Sequence, residues 1–158
     1  MLGLGIWYST KKTDKTMVNN MEKLEMEKII SGLLTVNGCD PEKDTYVDIT
    51  RLSRRLGFKV VNAELKKDEE GFIVIAPSYV NLESDFGNKV IVVNNKMGFK
   101  WKRFIIARQF AHSVLHYKIG SVYLHKENKK VEKGTEEKEA SYFAAALLMP
   151  RASFSLKY

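Results

Sequence analysis

This 158-residue chain predicts a small α+β domain in which a short, mostly antiparallel three-stranded sheet packs on about four helices. Three observations predict it. Apolar residues recur at helical spacing near both ends of the chain, three short runs rich in Val, Ile and Phe lie between them, and the two kinds of segment are grouped rather than alternating.

Residues 1–16 mix an apolar tip with Lys11, Lys12, Asp14 and Lys15 and keep no period, so they read as a lead-in segment or a lone edge strand, ahead of a single domain over 17–158. From Met17 to Leu34, Met17, Met21, Leu24, Ile29, Ile30, Leu33 and Leu34 fall at helical spacing with Glu and Lys between them. Asn37-Gly38 and Asp40-Pro41 then punctuate the chain. A short second helix is expected over Val47–Leu56, with Gly57 at its stop.

The strand candidates are Phe58–Val61, Gly71–Ala76 and Lys89–Val93, with Lys66–Glu70 read as a solvated hairpin loop. Lys100–Tyr117 is the central helix, carrying Phe104, Ile105, Ala107, Ala111, Val114 and Leu115 on a broad apolar face. The polar stretch Lys126–Thr135 leads to a last helix over Glu136–Met149, which Pro150 ends. No internal repeat or low-complexity segment interrupts this order.

Composition narrows the function classes. With 44% apolar residues the chain can bury a core, and only 3 Pro and 10 Gly exclude a collagen-like or Pro/Gly-rich disordered chain. The single cysteine, Cys39, excludes an internal disulfide framework and a Cys-based zinc knuckle, and suits a reducing compartment. No apolar run approaches the ~20 residues that a spanning helix needs. The opening Met1–Tyr8 is too short for a signal-peptide core and has no basic segment before it, so a cytoplasmic location without a membrane partner is expected.

Histidine is scarce. His112 and His116 lie four apart on the central helix, and His125 falls in a polar connection and reads as surface. Two imidazoles at i and i+4 share a helix face and can share a metal ion. A zinc-hydrolase helix also places a Glu directly after its first His, where this chain has Ser113. By spacing alone the pair is a weak metal signal, since two His on a helix are more often packing or surface residues.

The run Trp101–His116 resembles the core of the ImmA/IrrE family of zinc metallopeptidase-like proteins, whose pattern is Arg-Phe, an apolar stretch with Ala, His-Glu-x-x-His and a trailing Leu-Leu-His. Glu137-Lys138-Glu139-Ala140-Ser141-Tyr142-Phe143-Ala144-Ala145-Ala146-Leu147-Leu148-Met149-Pro150 is similar to that family's Glu-x-x-Ala-Asn-x-Phe-Ala-x-x-Leu-Leu-Met-Pro helix. A fainter likeness lies at Val47–Val60, and the resemblance spans roughly residues 20–154. It implies a zincin-like fold and a cytoplasmic protein associated with mobile elements or stress responses. It also implies proximity to helix-turn-helix repressors, which members of the family cleave as anti-repressors.

Aligning Arg103-Phe104 and Ala107 puts the family's first ligand His at Arg108, its catalytic Glu at Gln109, its second ligand His at His112 and its third ligand at Glu137. His116 takes the trailing position and Ser141 stands for the Asn. An Arg guanidinium stays protonated and has no lone pair for zinc, and a neutral Gln cannot take a proton from metal-bound water. Arg108 is therefore expected to replace the ion by pairing with Glu137, the alternative being a guanidinium that reaches the surface. A shifted metal pair, His112 with His116 and a third ligand from Glu137 or Glu139, lacks a general base. Glu139 otherwise reads as a solvated helix residue, or as the third-ligand position if the last helix shifts register.

From Lys96 to Lys130 there are nine Lys or Arg against one acid, Glu127, without a helix-turn-helix or OB-like pattern. A solvated basic face, or one that attracts an acidic partner, is the ordinary reading.

The reading is a degenerate ImmA/IrrE-type protein that acts as a binding or regulatory scaffold, without a cofactor, toward a protein or peptide partner such as a helix-turn-helix regulator. The alternatives are an active zinc-dependent endopeptidase with an irregular ligand set around His112, and a basic nucleic-acid-binding module.

Overall fold

A computed structural model describes residues 22–77, 87–116, 122–126 (as backbone) and 134–150. The lead-in 1–16, the expected helix start at 17–21 and the link at 127–133 lie outside the described residues. In chain order the elements are α1 (22–36), α2 (Ile49–Arg55), β1 (Lys59–Ala63), β2 (Glu69–Ile75), β3 (Lys89–Asn94), α3 (Phe99–Leu115), β4 (Val122–Lys126) and α4 (Thr135–Leu148).

The α+β class holds, with four helices among the described residues. α1 and α2 stop by the same device. Gly38 and Gly57 adopt φ of 76° and 87°, and the next amide in each case, Cys39 or Phe58, donates back to the carbonyl of Leu34 or Ser53. Glycine takes this left-handed turn without a Cβ penalty. At its other end α2 is capped by Asp48, whose Oδ1 accepts from the Arg51 amide.

The sheet has four strands in the order β1-β3-β2-β4 and is mixed: β1 pairs parallel with β3, while β2 pairs antiparallel with both β3 and β4. Two differences from the sequence reading follow. β4 is an additional strand, and it absorbs Val122–Lys126, including His125 from the supposed polar connection. The Lys66–Glu70 segment is not a hairpin loop, because β3 inserts between β1 and β2. Its last residue, Glu70, is buried, at a register shift in the β2–β4 pairing, and accepts a 2.7 Å hydrogen bond from Trp101 Nε1.

β3 runs through the middle of the sheet, and five of its six residues are buried, as a continuous apolar run in a central strand should be. α3 crosses β2 and β3 and packs along α4. Eight consecutive residues of α3, Ile105–His112, are buried, so the helix is enclosed on every side. The close approach to β2 falls at Gly71, where a Cβ would stand 2.7 Å from Ile105 Cγ2 and from the Val92 carbonyl oxygen. Leu34 of α1, Leu52 of α2, Ile73, Ile91, Phe110 and Phe143 join one core.

Candidate functional site

Enclosing α3 forces its polar residues into the interior. Arg108, Gln109 and His112 are each 1% exposed. Residues 108, 112 and 116 stand one turn apart on a single helix face, and that face looks onto α4. α4 begins with Glu136 and Glu137, which suit a helix N-terminus.

The side chains meet in rungs across the two helices. Arg108 does not reach solvent: its Nη2 donates to Glu137 Oε2. The other carboxylate oxygen of Glu137 lies 3.3 Å from His112 Nε2. His112 Nδ1 is 3.1 Å from His116 Nδ1, and His116 Nε2 is 2.8 Å from Glu139 Oε2. Glu139 is thus not a fully solvated helix residue, with its side chain only 32% exposed.

Proton counting makes these contacts informative. Each His–Glu contact needs an N–H on the ring, and the His–His contact needs one more. Two neutral imidazoles supply two N–H groups, so all three contacts are hydrogen bonds only when one ring is an imidazolium. The Glu137 carboxyl is held down, from 4.5 to about 2, chiefly by the hydrogen bond with His112 and further by the Arg108 charge, against the opposing effect of burial.

Gln109 faces the other way, toward the sheet. Its Nε2 donates to the Gly71 carbonyl at 3.4 Å, and its buried Oε1 has no hydrogen-bond partner among the described residues.

As arranged, these residues do not suit a zinc ion. The position beside Glu137 and His112 is taken by a guanidinium, which offers hydrogens rather than a lone pair. Among the described residues no group of three or more His, Cys, Asp or Glu is placed to hold a metal. The neutral Gln109 amide cannot act as a general base.

The two packed helices lie on a mixed sheet, with polar residues of α3 meeting carboxylates of α4. The chain belongs to the family of the IrrE N-terminal-like domain, whose model matches residues 54–158. That match begins after α1 and most of α2, later than the likeness read from about residue 20. No curated protein matches the chain. Among the described residues no helix is long and apolar enough to cross a membrane.

Sequence reasoning placed Arg108, His112 and Glu137 together, and the structure brings them together. It grouped His116 with Glu139 only as members of a shifted metal set rather than as a hydrogen-bonded rung, and it did not foresee the Trp101–Glu70 bond. The four-residue step from His112 to His116 was the available signal for the first. The second depends on β2 lying beside α3, which nothing in the local sequence marks.

Proposed function

We propose that this chain is a catalytically degenerate member of its family, retained as a scaffold that binds a protein or peptide partner, a helix-turn-helix regulator being the class the family resemblance favours. The observation that carries the reading is Arg108: buried, and committed to Glu137 at the position where a metal ligand is expected. The guanidinium supplies the positive charge that a divalent ion would give the facing carboxylate, and so holds the two helices together without chemistry. Gln109 completes the loss by replacing the proton acceptor with an amide. The basic residues of α3 serve the same role. Arg108 is consumed internally and Arg103 donates to the Val47 carbonyl, while Lys100 is exposed to attract an acidic partner surface.

Metal analysis of the purified protein, alongside the Arg108→His, Gln109→Glu double variant, tests this. The native chain should carry no stoichiometric zinc, and the double variant should gain about one ion per chain, the complement of a restored three-ligand site. One zinc per native chain would sink the proposal.

A further inference from the structure

A cavity of about 320 Å³ opens where the turn after α1 faces α2. Its lining lies almost wholly ahead of residue 54, where the family match begins, so the peptidase-like elements do not account for it. Three kinds of group face it.

Arg51 and Arg55 stand one turn apart on α2. Arg55 is held in place by donating from Nη1 to the Asn37 carbonyl. Arg51 makes no side-chain hydrogen bond or ion pair among the described residues. Tyr46 is 56% exposed, and the Arg103 guanidinium carbon lies 4.2 Å from its ring centroid, itself anchored on the Val47 carbonyl. Asp44 and Asp48 each use one carboxylate oxygen on a backbone amide, of Asp40 and of Arg51, and the other oxygen has no partner among the described residues.

We propose that this cavity binds a nucleotide. The phosphate lies against the Arg51 guanidinium, with the part of the Arg55 guanidinium not bound to the Asn37 carbonyl beside it, the base stacks on Tyr46, and the sugar hydroxyls donate to Asp44 and Asp48. Each part is required by a different feature of the wall. The planar fork of Arg51 matches the bidentate geometry of phosphate oxygens, and the Arg55 charge one turn along adds to it. A ring fixed from behind by a cation keeps its second face for a planar group and loses little freedom on stacking. Two carboxylates offset the charge of the two arginines, so a bare inorganic anion gains little there, whereas a ligand that carries hydroxyl donors next to its phosphate engages both kinds of group. The volume stands at the lower end of small-molecule sites, which run from about 300 Å³, and fits a single nucleoside phosphate rather than a folded segment. The nucleotide can be free or one unit of a single strand, since both present the same chemistry.

Calorimetric titration of the full chain with AMP, ADP, a short single-stranded oligonucleotide, adenosine and inorganic phosphate tests the proposal. Saturable binding of AMP or ADP is expected, weakened at least about tenfold by Tyr46→Leu and by Arg51→Gln, in line with stacking and charge-assisted contacts. Tyr46→Phe, which keeps the ring, and Arg54→Gln, which removes a neighbouring charge from the same helix, should stay within about twofold. Adenosine and phosphate alone should each bind far more weakly. Binding of the oligonucleotide only, with the same pattern among variants, supports the proposal and assigns the nucleotide to a strand. Circular dichroism establishes that each variant is folded. Absence of saturable binding at millimolar ligand overturns it, as does binding that Tyr46→Leu leaves unchanged or that Arg54→Gln weakens as much as Arg51→Gln.

Discussion

The seam between α3 and α4 and the cavity beside α2 hold similar residue types, arginines facing carboxylates, in opposite states. In the seam, Arg108 and His112 are buried and meet Glu137. At the cavity, Arg51 is exposed and has no side-chain partner among the described residues, and the nearby acids are used there only in part. The difference follows from desolvation. A charge enclosed by protein must find its partner within the protein, whereas a charge left at the surface keeps its capacity for something else. A seam of the first kind holds a fold together, and one of the second kind is equipped to receive a ligand.

The contrast breaks most sharply at Arg108. Arg108→Met should cost about 3–5 kcal/mol, because the half-buried Glu137 loses its cation, while Arg108→Met combined with Glu137→Leu should recover most of that loss. Denaturant midpoints of the two variants measure it. Equal destabilisation of the single and double variants would mean that the pair is not the source of the cost.

Acid should loosen the seam next. The Glu137 carboxyl lies at about 2 in the folded chain against 4.5 as its ordinary value. Because the folded value is the lower, the stabilisation is complete above about pH 4.5 and is lost as pH falls toward 2. The shift corresponds to roughly 3 kcal/mol before screening, and with the side chain about a third exposed an effect of about 1–2 kcal/mol is expected. Thermal melts between pH 5 and 2 should show a slope that flattens in Glu137→Gln. The smallest effect belongs to the cavity: Arg51→Gln should move stability by no more than about 0.5 kcal/mol, as an exposed substitution with no partner to lose among the described residues.

Much of this architecture is legible in the chain itself, for reasons that also mark where legibility stops. The helices and three of the strands follow from local period and from the glycines at 38 and 57, which are decided within a few residues. The seam is readable because Arg108, His112 and His116 share a helix face by spacing, and Glu137 opens a second helix whose pattern is specific. β4 escaped because Val122-Tyr123-Leu124 is short and followed by a run of His and Lys that reads as a solvated link. The strand order escaped because the insertion of β3 between β1 and β2 is a long-range choice that no local pattern encodes. Glu70 was misread with it, since its burial depends on the neighbouring Trp101 rather than on the charged residues around it.

The position of β3 also sets an order of assembly. β2 and β3 are consecutive in the chain and antiparallel, so their pairing closes the shortest loop in the sheet. β1 then attaches to one open side, and β4 to the other only after α3 has crossed. Loop closure therefore favours growth of the sheet outward from its centre, and its two rims, contributed from opposite directions along the chain, are expected to open first. Backbone amides of β2 and β3 should be the slowest in the sheet to exchange with deuterated water, and those of β1 and β4 markedly faster. An N-terminal fragment that stops before β3 holds no strand able to join the other two, which makes residues 89–94 the point in synthesis at which this protein first acquires a sheet.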